Sequence, residues 1–442
     1  MVIAPQREKP ERHGHDMNMQ IIKNDLLGEE YQKYHHPSGL TILLCPMKGY
    51  SSVYALFATK YGSLDTCFKT NDDRDFAEVP EGIAHFLEHK MFEDEDGDAF
   101  SKYAKTGASA NAFTSFDRTA YEFLSSGDPY EPLKVLLEMV TTPYFTEQSV
   151  AKEQGIIGQE IEMYSDNPGW RVFFNLLSAL YVNNPIRIDI AGTVKTIAEI
   201  DKDLLYRCYH TFYNLNNMVL AVSGNFEPEK VLSVCDGILK AAADNGIERR
   251  FPEEPLTVSQ PLIEQELEVS MPLFQLGYKV EPYEKDEQLL RSVANDILLE
   301  AIAGESSPLY TRLYEQGLIN DSFAYESLIE RECAANIFSG ESKDPQKVCE
   351  EIEKELAAVV QNGVEQEAFE RAKKFYYGRL VFAYNNVESV ASTLVTSHLY
   401  GRGAYDIIDT LVGIDKKTVD DTARRNFHPD RKALSIVKPK KA

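Results

Sequence analysis

Ile200-Asp201-Lys202 returns as Ile414-Asp415-Lys416, a spacing of 414 − 200 = 214 residues. At that spacing the alternating stretch Leu220-Ala221-Val222-Ser223 meets Leu434-Ser435-Ile436-Val437, and Phe212 meets Phe427 one residue out of step. Each copy reads as an Ile-Asp start, a helical stretch, a Phe-centred turn and a closing strand. Order shared at one long spacing marks a duplicated unit. The spacing predicts two copies of one α+β domain of about 200 residues each, a usual domain size.

Working outward, Ser52–Phe57 and Ala120–Leu124 alternate like strands, and Leu133, Leu136, Leu137 and Val140 recur at i, i+3, i+4 and i+7, an amphipathic helix closed by Pro143. The fold class expected is α+β, two homologous repeats, each an antiparallel sheet covered by helices. The stretch 241–262, with Gly, three prolines and a charge cluster, reads as a linker. The expected division is a flexible tail over 1–20, a first domain over 21–240, and a second over 263–442. His13 and His15 fall in the polar tail, where a mobile segment holds no ligand geometry.

The 442 residues carry 46 − 70 = −24 charges, with 43% hydrophobic and 26% charged residues. That composition excludes wholesale disorder. The acidity argues against nucleic-acid and anionic-membrane partners, which need a positive field. The first twenty residues show no apolar signal core, and the longest apolar runs, such as Thr41–Cys45, are too short to span a bilayer. Six scattered cysteines without a C-x-x-C pair read as reduced thiols. The expected location is cytoplasmic.

The segment Pro80-Glu-Gly-Ile-Ala-His85-Phe-Leu-Glu88-His89-Lys-Met-Phe92 carries chemistry. On a helix His85 and His89 stand i and i+4, so both imidazoles leave one face, the geometry for two nitrogens on one Zn²⁺. Glu88 lies on the same face. The order H-x-x-E-H is the inverted zinc-protease motif. The bland alternative is two histidines and a glutamate on a solvated face, so a third ligand is the test. Thr146–Tyr164 has helical periodicity, with Val150, Ile157, Ile161 and Tyr164 as its apolar stripe. Glu153 and Glu160 fall on that stripe, where a carboxylate asks for a cation or strong donors, unless both reach water at its edge.

These motifs resemble the insulinase/pitrilysin family of zinc metallopeptidases, in its short, processing-peptidase-like branch. His85-x-x-Glu88-His89 matches the family's zinc helix, and Glu153 through Glu160 matches its downstream E-x(6)-E element. The resemblance implies one Zn²⁺ per chain on His85, His89 and Glu160, with Glu88 as base and Glu153 behind a ligand. Gly107–Tyr121 resembles the strand beside the metal, which implies substrate binding at Ala110, Asn111 and Ala112 by strand addition. It further implies a zinc endopeptidase acting on oligopeptides or leader and precursor peptides inside a chamber, of which this chain forms half a clamshell.

There are departures. At the 214 spacing, His85 corresponds to Leu299 and Glu160 to Lys374, so the second copy has no zinc site. In Ser306–Asn320, active relatives carry an Arg and a Tyr that help stabilise the transition state; here those positions are Leu313 and Asn320, with Arg312, Tyr314 and Tyr325 nearby. The expected partner is a homologous subunit supplying that pair, with a homodimer as second choice. A non-catalytic scaffold or peptide-binding subunit is the other class of reading; it predicts erosion of the zinc residues, and all four are present. The acidic run Glu93–Asp98 is read as a solvated loop whose Asp98 caps the next helix; Gly97 is misplaced for a calcium loop. His210, His398 and His428 read as ordinary histidines.

Overall fold

The computed structural model describes residues 19–95 and 97–440. Of the tail expected over 1–20, Met19 and Gln20 pair with Tyr34 and Lys33 as the start of a strand, and residues 1–18 lie outside the described residues. His13 and His15 lie outside the described residues.

The first half runs β1 (Met19–Asn24), β2 (Glu29–His35), β3 (Thr41–Pro46), β4 (Val53–Thr59) and short strands β5 (Cys67–Lys69) and β6 (Ala77–Glu78). Helix α1 (Ile83–Lys90), a ribbon of β7 (Glu93–Asp94) and β8 (Gly97–Asp98), and α2 (Ala99–Thr106) follow. Next come the hairpin β9 (Ser109–Thr114) and β10 (Thr119–Ser125), then α3 (Tyr130–Thr141), α4 (Glu147–Ser165), α5 (Pro168–Leu180), α6 (Val194–Ile197) and α7 (Lys202–Phe212). Strand β11 (Met218–Gly224), α8 (Pro228–Ile238) and β12 (Glu248–Arg249) complete it.

The second half repeats the plan. Strands β13 (Leu262–Leu267) and β14 (Leu273–Val280) precede α9 (Gln288–Ala303), α10 (Pro308–Glu315) and the hairpin β15 (Ala324–Glu330) and β16 (Cys333–Glu341). Then come α11 (Pro345–Asn362), α12 (Gln366–Ala383), α13 (Val387–Leu399), α14 (Asp406–Gly413), α15 (Lys416–Asn426) and β17 (Lys432–Pro439).

The sheets confirm the duplication. One has the order β1-β2-β3-β11-β4-β10-β9, the other β13-β17-β14-β16-β15. Removing β1 and β2 leaves the same five-strand plan. In each, the first strand is parallel to the last and the other neighbours are antiparallel. The repeated Ile-Asp-Lys has a physical cause: Asp201 and Asp415 are helix N-caps, accepting from the backbone N–H of Leu204 at 2.8 Å and Thr418 at 2.9 Å.

The 214 spacing does not hold throughout. Helices α4 and α12 start 366 − 147 = 219 residues apart, and α5 and α13 start 387 − 168 = 219 apart. Five residues are lost in the second copy between those helices and its closing strand. Glu160 therefore corresponds to 160 + 219 = 379, Arg379, and not to Lys374.

Each half also covers the other. One face of the first sheet (Leu43, Tyr54, Leu56, Val219) packs under Val390, Leu394 and Val395 of α13. One face of the second sheet (Ile337, Ala433) packs under Leu176, Leu177 and Leu180 of α5. At Gly277 a Cβ would lie 2.8 Å from Leu180 Cδ1, so a side chain there would force Leu180 of α5 to shift.

The stretch 241–262 is a strap more than a loose linker. Its β12 pairs with β5. Glu254 accepts from the backbone of Val182, Asn183 and Asn184 and pairs with buried Lys279. Fully buried Asp65 accepts from Arg249 of the strap at 2.7 Å and from Arg331 of the second half at 2.8 Å. Removing one member of such a buried pair typically costs about 3–5 kcal/mol.

Candidate metal centre

Helix α1 enters at Gly82, whose φ of 90° is left-handed. A Cβ there would lie 2.4 Å from the Ala191 carbonyl oxygen, and one on Gly192 would lie 2.5 Å from that of Glu81. Two glycines thus let the 189–192 loop dock on the start of the helix. Ile83, Leu87 and Met91 are buried, as their spacing predicts. Lys90, unforeseen, is fully buried and pairs with Glu93.

The opposite face of α1 carries His85 and His89, ring centroids 4.5 Å apart. Helix α4, held at its start by a Thr146–Ser149 capping box, brings in Glu160. Glu160 Oε2 lies 3.8 Å from His85 Nε2 and 3.5 Å from His89 Nε2. A tetrahedral ion with bonds of about 2.0–2.1 Å holds its ligand atoms roughly 3.3 Å apart. Two nitrogens and one carboxylate oxygen at these separations fit zinc, and they leave a fourth position open. Among the described residues, this is the one group of three His, Cys, Asp or Glu side chains whose ligand atoms converge in this way.

Glu153 is buried and its Oε1 lies 2.9 Å from His89 Nδ1. It does not reach water at the edge of the stripe. A carboxylate on the far ring nitrogen fixes which nitrogen faces a metal. Burial opposes charge on His89, but the hydrogen bond to Glu153 and the carboxylates of Glu88 and Glu160 outweigh it and raise its pKa. His85 is pushed down to about 3 by burial and then by His89, so its ring is neutral and able to ligate. Its Nδ1 is buried without a protein partner.

Glu88 is nearly buried and accepts from Thr114 Oγ1 at 2.8 Å. Burial raises its pKa, against the lowering by that hydrogen bond. A carboxylate lifted toward neutrality is a better proton carrier at physiological pH. Thr114 lies on edge strand β9, whose Ala110 and Ala112 pack half-buried toward the first core while Asn111 faces out. The strand expected to receive substrate therefore runs beside the site and ends on the partner of Glu88.

The other expected elements are also placed. Asp98 caps α2, accepting from the Ser101 N–H at 2.8 Å. Leu313 is sealed in the second core and Asn320 donates to Glu341 at 3.0 Å. Arg312 pairs with Glu355, and Tyr325 donates to Glu300. Two side chains, Trp170 and Asp189, went unread in the sequence, and Tyr164 was read only as part of the apolar stripe. The Tyr164 phenol is pushed up to about 12 by burial and by the nearby Glu160 carboxylate. Its i+4 position from Glu160 was the available signal; Trp170 and Asp189 offered none.

Comparison with known proteins agrees with this layout. A family profile described as Insulinase (Peptidase family M16) matches residues 76–194, and one described as Peptidase M16 inactive domain matches 199–376. The chain is 37% identical over 421 residues to YmfH of Bacillus subtilis, described as an uncharacterized zinc protease, covering 92% of this chain and 96% of that one. The chain belongs to the insulinase family, M16. A second relative, YmxG of Bacillus subtilis, likewise described as an uncharacterized zinc protease, is 28% identical over 379 residues, covering 82% of this chain and 90% of that one. The solved structure of an M16-like peptidase from Alicyclobacillus acidocaldarius superposes with a TM-score of 0.88 at 34% identity, covering 93% of this chain and 98% of that one. Pitrilysin shares the fold at a TM-score of 0.73 and 17% identity, with 96% of this M16 chain matching 47% of that one. Among the described residues, no helix is long and apolar enough to cross a membrane.

Proposed function

We propose that this M16 chain is a zinc metalloendopeptidase that cleaves oligopeptides or leader and precursor peptides, working as the zinc-bearing subunit of a pair. The observation that carries this is the convergence of His85 Nε2, His89 Nε2 and Glu160 Oε2 beside nearly buried Glu88 and edge strand β9. His85, His89 and Glu160 would hold the ion. When bound, zinc supplies a Lewis acid that polarises a carbonyl and makes a water acidic near neutral pH. Glu88 takes a proton from the attacking water and returns it to the leaving amine. Thr114 holds the Glu88 carboxylate toward the site, and Glu153 holds the His89 ring. The substrate backbone lies along Ala110, Asn111 and Ala112 as an added strand.

The pairing rests on Leu313 and Asn320. A buried leucine donates no hydrogen bond, and Asn320 is committed to Glu341. One lost transition-state donor typically costs about 10²–10³ in rate. A homologous subunit bearing the Arg and Tyr would restore them. The same two residues favour the second reading, a subunit that binds peptide without cutting it. The free state of all six cysteines supports a reducing, cytoplasmic setting.

The test is zinc quantification and peptide cleavage by the chain alone and with homologous M16 chains. The expectation is one zinc per chain, weak cleavage alone, and strong cleavage when paired. A zinc-free chain would end the metal reading. Full activity as a pure homodimer would end the pairing, and zinc without cleavage in any pair would select the non-catalytic reading.

A further inference from the structure

A cavity of about 640 Å³ opens between the two halves, and none of its lining residues belongs to the zinc centre. Lys60, Asp117 and Asn217 line it from the first half, and Tyr283, Glu330 and Arg331 from the second. Sites for small molecules usually measure about 300–1,000 Å³, so this one is of that size.

Most charges around the cavity are taken up. Asp117 holds Arg118 at 2.8 and 2.9 Å. Asp65 is shared by Arg331, at 2.8 and 2.9 Å, and by Arg249 at 2.7 Å. Glu330 is pushed up to about 8 by burial and then by Asp117, so it keeps its proton at neutral pH. His398 is pushed down to about 4 by burial and then by Lys33, His35 and Lys60, so it adds no charge. Glu284, Lys285 and Glu332 also line the cavity but are exposed, and water screens them.

Lys60 is the exception. It follows strand β4 and its backbone is pinned. Its N–H donates to the Asn217 carbonyl at 3.1 Å, and its own carbonyl accepts from Asn217 Nδ2 at 3.3 Å and from Arg249. Its side chain is half-buried and makes no ion pair or hydrogen bond among the described residues. Burial lowers its pKa, and so do Arg331 and Arg249, against the pull of Asp65 and Asp117. The inner wall sets four cations, Lys60, Arg118, Arg249 and Arg331, against two carboxylates, Asp65 and Asp117, a balance of 4 − 2 = +2. That is a local surplus of positive charge in a chain of net charge −24. An ammonium withdrawn from water without a partner is costly, and an incoming anion removes the cost.

From this cavity and its unpartnered ammonium we propose that the junction between the halves is a binding site for a small organic oxyanion, a carboxylate or a phosphate ester, with its charged group on Lys60. A lysine ammonium is a compact point charge suited to such groups. A protonated Glu330 can donate to an oxyanion, where an ionised one would repel it. Tyr283 and Met218, both buried, give the rest of the molecule an apolar wall. An occupant would touch both halves and favour the folded chain over the unfolded one.

The test follows the melting temperature of the full-length chain with inorganic phosphate and with N-acetyl-leucine, against sodium chloride at matched ionic strength. Wild type and Lys60→Arg are expected to gain a saturable rise beyond chloride, and Lys60→Met is expected to gain none. A rise with phosphate alone assigns the phosphate ester, one with N-acetyl-leucine alone assigns the carboxylate, and one with both assigns an oxyanion of either kind. Wild type carries a second readout that needs no variant, the acylation of Lys60 by a succinimidyl ester followed by peptide mass mapping. An anion at about ten times its dissociation constant should slow that labelling about tenfold. Neither anion exceeding chloride, an equal rise in Lys60→Met, or Lys60 labelled equally fast with and without anion would each overturn the site.

Discussion

Helices α1 and α4 of the first half and helices α9 and α12 of the second make the same kind of contact, yet one pair builds a metal site and the other does not. In the first, His85 and His89 stand i and i+4 on α1 and Glu160 answers from α4. In the second, Asp296 and Glu300 stand i and i+4 on α9, and the position equivalent to Glu160 is Arg379, whose charge acts on both. Asp296 accepts from Tyr376 at 2.7 Å and is pushed up to about 6 by burial. Glu300 accepts from Tyr325. Both helix pairs bring titratable side chains near one another. Two imidazoles and a carboxylate are a zinc donor set, whereas in the second half each carboxylate is taken up by a tyrosine hydroxyl. The difference teaches that this fold supplies placement and leaves the chemistry to three side chains.

The sharpest way to break that contrast is at the bases. Glu88→Gln should lower peptide cleavage by about 10²–10⁴-fold while zinc content stays at one. Glu300→Gln, in the second half, should leave turnover within about twofold of wild type. Equal losses would show that both clusters take part in the reaction. Next in size is the junction between the halves. Asp65→Asn leaves Arg249 and Arg331 facing a neutral amide and should cost about 3–5 kcal/mol in urea unfolding. A change below about 1 kcal/mol would mean that the Asp65 pairs do not hold the junction.

A smaller effect is expected behind the metal. Glu153→Gln keeps a hydrogen-bond acceptor for His89 but removes its charge, and zinc affinity measured by chelator competition should fall about 10–100-fold. Arg379→Ala should leave zinc stoichiometry and affinity untouched; any loss there would dissolve the distinction between the halves. The smallest effect is a pH slope. Glu330 is pushed up to about 8 by burial and then by Asp117. A carboxyl whose folded pKa is raised holds its proton more tightly when folded. Its contribution to stability is full below about 4.5 and is lost as pH rises through about 8. Glu330→Gln should therefore gain on wild type in melting temperature as pH rises across that window. A constant gap would mean that Glu330 does not titrate there.

The duplication and the zinc helix were legible because each leaves a short-range mark. An N-cap aspartate after isoleucine is a local requirement, so Asp201 and Asp415 survive as a visible repeat. Histidines at i and i+4 beside a glutamate are likewise a local pattern. Glu153 was harder, since its stripe position fits both a buried and an edge placement; only its contact with His89 decides. The residues missed act across the chain. Trp170 meets Asp189 nineteen positions on, and Asp65 meets Arg331 across |i−j| = 266, distances at which periodicity carries no information. The single spacing of 214 failed for a related reason. A five-residue loss between α13 and α15 changes the correspondence for α4 and α5, and only structure locates it.

The exchange of α5 and α13 has a consequence for the chain as a polymer. Each sheet lacks part of its own cover and borrows it from the other copy, so the two repeats are not independent folding units. Severing the strap would give one fragment with a bare apolar sheet face and a second with the same defect, each carrying the lid the other needs. Co-expressed, the fragments are expected to reassemble; expressed singly, each is expected to aggregate or to pair with a second copy of itself. A duplicated ancestor that once met its twin through such an exchange would gain from fusion a partner always at hand.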